Sequence, residues 1–185
     1  EESETDISLP DQYYFSSGGA KRDYRTLIDA FRKLPYVLVI SCARDVFEEN
    51  EPLPKNVIHY DFSAHGFKCF ADLRRLNQGA KAVLIPIIEK NHVANGNSTF
   101  VEALACGKPI LISNTGNNFL DVEDKKIGIK IEMSDVEDWI RNIEYLEQNP
   151  EHFAKMSKNS YNMAKMNCNY ELFSSVIVSH LRSLI

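Results

Sequence analysis

Several chemistries are missing from this sequence, and each absence narrows its class. The four cysteines, Cys42, Cys69, Cys106 and Cys168, stand far apart with no C-x-x-C pair. They read as reduced, mostly buried thiols of a cytoplasmic protein, and they offer no metal-ligand spacing. Basic residues are in the minority, 21 Lys and Arg against 26 Asp and Glu for a net charge of −5, which argues against a nucleic-acid surface. No apolar run reaches transmembrane length and no signal-peptide pattern occurs. Membrane contact, at the inner face, is therefore expected only through a larger parent protein. Neither a complete G-x-G-x-x-G nor a G-x-x-x-x-G-K-[ST] is present, so the specific nucleotide fingerprints are missing. The lack of G-x-S-x-G removes the hydrolase elbow. Five histidines (His59, His65, His92, His152 and His180) are scattered without triad or metal spacing and read as structural or surface residues.

What is present describes a globular chain of 185 residues, 44% hydrophobic and 25% charged, long enough for one domain with a sizeable core. Residues 1–12, "EESETDISLPDQ", carry five acids and no base and read as a solvated arm or linker. Residues 13–185 form the domain. Apolar runs alternate with helical patterns. Strands are expected at Tyr13–Ser17, Tyr36–Ser41, Asn56–Tyr60, Ala82–Ile88, Pro109–Ser113 and Ile127–Glu132. Helices are expected after Asp23, with Tyr24, Leu27, Ile28, Phe31 and Leu34 on one face, from about Phe67 to Leu76, and after Ser98. Three more helices close the chain. The first is capped by Ser134 with Glu137, the second by Asn149 with Pro150 at its first position. Alternation of this kind predicts an α/β fold: a doubly wound, Rossmann-like parallel sheet of about six strands with helices on both faces, plus C-terminal helices. Ligands of such sheets bind beyond the carboxyl ends of the strands.

Two loops at that edge carry candidate chemistry. In "SSGGAKRDY", Gly18 and Gly19 let backbone amides approach a ligand, and Lys21 and Arg22 add positive charge. This suits phosphate; the same residues also suit a tight strand-to-helix turn with solvated bases. In "NGNSTFVEALACGKPIL", Gly96, Asn97, Ser98 and Thr99 lead into a helix whose first amides lack partners and favour an anion. Glu102, one turn in, suits ligand hydroxyls rather than phosphate. Thr99 and Glu102 also spell S/T-x-x-E, a capping box that needs no ligand. Gly107 and Pro109 read as the helix stop. No catalytic residue and no general base can be named.

The chain resembles the C-terminal, donor-binding domain of the group 1 (family 4-like) retaining glycosyltransferases of B-type fold. The likeness rests on "YYFSSGGAKRDYRTLIDAFRKLPYVLVI", on "NSTFVEALACGKPILIS" and on the helix pair around "NIEYLEQNPEHFAKMSKNSY". It implies transfer of a sugar from a nucleotide-sugar, such as a UDP- or GDP-sugar, to a sugar or lipid-linked acceptor hydroxyl in polysaccharide or glycolipid synthesis, with no metal or other cofactor. By resemblance Glu102 binds the donor ribose, Gly96, Asn97, Ser98 and Thr99 face the diphosphate, Gly18 and Gly19 match the first loop, and Arg22 stands where a phosphate-binding lysine is usual. The family's first motif glutamate is replaced by Ala94, with Glu89 nearby but out of register. The N-terminal acceptor domain of such enzymes is absent from this chain, so the isolated domain is expected to bind donor weakly and transfer nothing. The rival readings are a non-catalytic nucleotide-binding or interaction module and a sugar-nucleotide epimerase.

Overall fold

The computed structural model describes residues 9–43, 52–61, 70–88, 95–116 and 120–183. Among these the strands are β1 (Tyr14–Ser17), β2 (Leu38–Cys42), β3 (Val57–Asp61), β4 (Val83–Ile85), β5 (Ile110–Ser113) and β6 (Gly128–Ile131). The helices are α1 (Tyr24–Lys33), α2 (Phe70–Gly79), α3 (Asn97–Ala105), α4 (Val136–Gln148), α5 (Pro150–Asn167) and α6 (Tyr170–Arg182). The strands form one sheet in the order β3-β2-β1-β4-β5-β6, and every pairing is parallel. The doubly wound sheet read from the sequence is the one observed.

A parallel sheet covered on both faces needs strands that are apolar throughout, because successive side chains point to opposite sides. Tyr14, Leu38, Ile40, Leu84 and Leu111 face one way and pack with Leu27, Ile28 and Phe31 of α1 and Trp139, Ile143 and Leu146 of α4. The alternate residues, Phe15, Val39, Val83, Ile85, Ile110 and Ile112, face the other way and meet Leu73 and Leu76 of α2 and Phe100, Ala103 and Leu104 of α3. Each large side chain so buried contributes on the order of 1.5–3 kcal/mol.

Helix ends show where local chemistry holds and where it shifts. Asp23 caps α1, accepting from the Thr26 amide at 3.2 Å and the Thr26 hydroxyl at 2.9 Å. For α4 the cap is Asp135, which accepts from the Asp138 amide at 3.0 Å, and not the expected Ser134. The physical reason is backbone conformation: Ser134 has φ 55°, and its hydroxyl instead reaches Asp23 at 2.9 Å. Asn149 precedes α5 with Pro150 in its first turn, as expected, but gives no side-chain cap; its side-chain Nδ2 donates back to the Tyr145 carbonyl. Gly107 ends α3 with φ 65°. Its amide bonds the Leu104 carbonyl and that of Lys108 bonds Ala103, both at 2.9 Å, a Schellman stop.

Residues 9–12 form neither helix nor strand, and Leu9 rests against the α2–α3 side of the core. Residues 1–8 of the arm lie outside the described residues, as do Glu89, Ala94, His65, His92 and Cys69.

Candidate functional site

Strand order makes β1 and β4 neighbours. The chain leaves β1 toward β2 on one side and leaves β4 toward β5 on the other, so the crevice at their carboxyl ends is the switch point where such folds bind ligands. The two loops singled out in the sequence are the ones that meet there. The first of them is tied to the segment that follows β4 by backbone bonds from Asp23 N to Pro86 O and from Ile88 N to Lys21 O, each 3.1 Å. The Ser113 hydroxyl at the end of β5 adds a third loop, accepting from the Ile87 amide at 2.9 Å.

Arg22 joins the two sides. Its Nε donates to the Ser17 carbonyl at 3.1 Å, Nη1 to the Ala20 carbonyl at 3.2 Å and Nη2 to the Thr99 hydroxyl at 3.3 Å. The guanidinium lies where two glycines leave room. A Cβ on Gly18 would stand 3.0 Å from Nη2, and one on Gly96 would stand 3.7 Å from both Nη atoms and 2.8 Å from Ile85 Cγ2. Burial lowers the Arg22 pKa from its ordinary value, with Tyr24 opposing. The group remains a cation, less hydrated than one on an open surface. Tyr24, which the sequence reading placed only in the core, fixes the first loop by donating to the Gly18 carbonyl at 2.6 Å.

The start of α3 faces this arginine. Gly96 takes φ 86° and gives no side-chain cap, so the first amides of the helix, at Asn97, Ser98 and Thr99, lack intrahelical acceptors. Asn97 is half-buried, Ser98 exposed and Thr99 buried. Because the helix begins at Asn97, Thr99 is inside its first turn, and the Thr99–Glu102 capping box does not form. The Thr99 hydroxyl crosses instead to Ser17, 3.2 Å from its Oγ and 3.4 Å from its carbonyl.

Glu102 stands apart from the other eight predicted residues. It lies about 7.5 Å along the axis from Asn97 and lines a groove of about 420 Å³ between α2 and α3, with Arg74, Asn77, Gln78 and Cys106. Among the described residues its carboxylate has no hydrogen-bond or ion-pair partner, and burial raises its pKa. In the same groove the Asn77 Oδ1 is buried with no partner among the described residues, while its Nδ2 donates to the Leu73 carbonyl at 2.9 Å. No sequence signal marks Asn77, because its environment is made by a different helix.

His59 sits with Nε2 3.0 Å from the Cys42 carbonyl, and His152 hydrogen-bonds Tyr145; neither belongs to the crevice. No group of three or more His, Cys, Asp or Glu among the described residues could hold a metal ion. No helix among them is long and apolar enough to cross a membrane.

Fold and crevice together define a doubly wound α/β domain in which Arg22 and the start of α3 meet at the switch point of the sheet. Residues 16–163 match the sequence model of the glycosyl transferases group 1, and the chain belongs to that family. Solved structures share the fold at low identity. Anabaena HepE in complex with UDP and glucose matches with a TM-score of 0.72 at 15% identity, over 94% of this chain and 49% of that one. Sucrose-phosphate synthase from Thermosynechococcus elongatus matches at 0.71 and 16%, over 95% and 46%. The C-terminal domain of a group 1 glycosyl transferase (LpcC) from Francisella tularensis matches at 0.66 and 13%, over 85% and 87%. The chain thus spans about half the length of the first two, and nearly all of an isolated C-terminal domain. No curated protein sequence matches it significantly.

Proposed function

We propose that this chain is the donor-binding part of a retaining glycosyltransferase, which moves a sugar from a nucleotide-sugar to an acceptor hydroxyl in polysaccharide or glycolipid synthesis. The observation that carries the reading is Arg22, held between Gly18 and Gly96 beside the uncapped start of α3. A diphosphate placed at this tip accepts from the amides of Asn97, Ser98 and Thr99 and gains the helix dipole and the Arg22 charge. Among the described residues three of the five guanidinium N–H groups are committed, and the other two can donate to phosphate oxygens. Gly18 and Gly19 keep the opposite wall low, and Lys21 adds charge at the rim.

Glu102 then takes the ribose. Its unpartnered carboxylate lies one turn beyond the phosphate amides, so like charges stay apart while sugar hydroxyls donate to it. When the glycosidic bond breaks, negative charge grows on the departing nucleoside diphosphate. Arg22 and the helix amides are already oriented toward that charge, which is how preorganised donors lower a barrier. HepE, with UDP and glucose bound, supports a UDP-sugar as the donor, and WaaG, a glycosyltransferase of lipopolysaccharide biosynthesis, supports a sugar- or lipid-linked acceptor. Transfer itself requires donor and acceptor to be held together away from water, and half a cleft does not do this. The isolated chain therefore binds donor weakly and turns over none.

Calorimetric titration with uridine and guanosine diphosphates tests the reading. Saturable heat with one of them, weakened by Arg22→Ala, supports it. No heat with either favours a non-catalytic module that keeps the fold with Ala94 in place of the family's first glutamate.

A further inference from the structure

The Ser41 side chain is fully buried and its Oγ has no hydrogen-bond partner among the described residues. A buried hydroxyl in that state is costly, and its position suggests a use. Ser41 pairs in register with Ser17 across β1 and β2. Each lies two residues beyond a side chain, Val39 and Phe15, that packs on the α2–α3 face. Both hydroxyls therefore project to that face, side by side, at the carboxyl edge beneath α3.

The Thr99 hydroxyl beside them is fully engaged. Its hydroxyl oxygen receives Arg22 Nη2 at 3.3 Å and stands 3.2 Å from Ser17 Oγ, and its proton can go to the Ser17 carbonyl at 3.4 Å. With one donor and two acceptor sites in use, this hydroxyl has nothing left for a ligand. To donate to an anion at the helix tip it must turn away from Ser17, which leaves a buried Ser17 hydroxyl without a partner. Ser41 Oγ is the neighbouring group with hydrogen-bonding capacity to spare.

We propose that Ser41 is a positioning residue of the helix-tip site, a reserve partner that takes the Ser17 hydroxyl when Thr99 turns toward a ligand anion. Its use with a nucleotide rests on the donor-binding reading above; the exchange of partners between Ser41 and Thr99 does not. Two measurements on the chain separate these. In the first, melting temperatures of wild type, Ser41→Ala, Thr99→Ala and the double variant are compared without ligand. Ser41→Ala alone leaves the melting temperature unchanged or raises it, because an unsatisfied group is removed. Thr99→Ala lowers it by about 2–4 °C more in the Ser41→Ala background than in wild type, the shift expected when Ser17 loses its reserve. Additive effects overturn the proposal. In the second, calorimetric titration with uridine and guanosine diphosphates compares wild type with Ser41→Ala. A Kd at least about fivefold weaker at unchanged melting temperature supports the positioning role, and an unchanged Kd overturns it. If wild type binds neither nucleotide, the donor-binding reading falls, and the melting-temperature cycle still decides the partnership of Ser41 and Thr99.

Discussion

Arg22→Ala is the most informative perturbation, because Arg22 has two separable duties. As a structural link it donates to Ser17, Ala20 and Thr99, across both crevice loops. The Ala20 bond is solvent-exposed and contributes little; the other two are partly buried, and each is worth about 0.5–1.5 kcal/mol net. The expected stability loss is therefore about 1–3 kcal/mol, or roughly 2–12 °C in melting temperature for a chain of this size. As a ligand contact the guanidinium offers charge-assisted bonds of about 1.5–3 kcal/mol, so nucleoside diphosphate affinity should fall by about 10- to 150-fold. Arg22→Lys separates the duties. It keeps the charge but cannot span three acceptors with one planar group, so stability falls nearly as far while part of the affinity survives. Calorimetric titration in low and high salt, with scanning calorimetry alongside, reads both. Since salt screens charge attraction, the affinity gap between wild type and Arg22→Ala should narrow as salt rises. Lost stability with unchanged affinity would show that Arg22 is a loop brace only, and the anion-site argument would fail.

Glu102→Gln should weaken nucleoside diphosphate binding by about 1–3 kcal/mol without loss of melting temperature, since Glu102 caps nothing; lower stability with unchanged affinity refutes this. Its pH dependence has a definite sign. Burial raises the folded-state pKa of Glu102, so the folded state holds this proton more tightly. As pH rises from the ordinary glutamate value through the raised one, wild type loses stability relative to Glu102→Gln, which denaturant titrations at acid and neutral pH can measure. Gly96→Ala places a side chain at φ 86° and 2.8 Å from Ile85 Cγ2, costing about 2–4 kcal/mol. Gly116→Ala, at φ 77° with nothing within 4 Å, should cost only about 1–2 kcal/mol, and equal losses in urea unfolding would contradict the packing argument. Asp23→Ala removes the α1 cap and the link to Ser134, and should cost about 1–2 kcal/mol; an unchanged midpoint would refute the cap.

The four inner strands, β1, β2, β4 and β5, were legible because each is buried on both faces. Runs such as Val39-Ile40 and Leu84-Ile85 need no partner to be recognised, and the observed ends differ from the expected ones by a residue or a few. Helix starts were less legible. Ser134 and Asp135 are both good caps by composition, and the choice was made by a backbone angle that composition does not reveal. At α3, Thr99 and Glu102 have the spacing of a capping box. The left-handed Gly96 starts the helix earlier, and Ser17, 82 residues away in sequence, draws the threonine hydroxyl off. The glycines and bases of the two loops were visible as chemistry, whereas Arg22 as the link between them was not, because it depends on β1 and β4 being neighbours. Asn77 and the groove that Glu102 lines are products of helix packing. Helix α6 was readable as a helix, yet Phe173 is 63% and Val176 58% exposed, and amphipathic spacing does not say what an apolar face meets.

The central claim is that an anion sits on the first amides of α3 beside Arg22. Amide chemical shifts of the nitrogen-15-labelled chain, followed during titration with uridine and guanosine diphosphates, test it most directly. The account predicts that the largest shifts fall on Gly18, Gly19, Gly96, Asn97, Ser98 and Thr99, with Glu102 following. Shifts confined to residues away from the carboxyl edge of the sheet, or none at millimolar nucleotide, would contradict it.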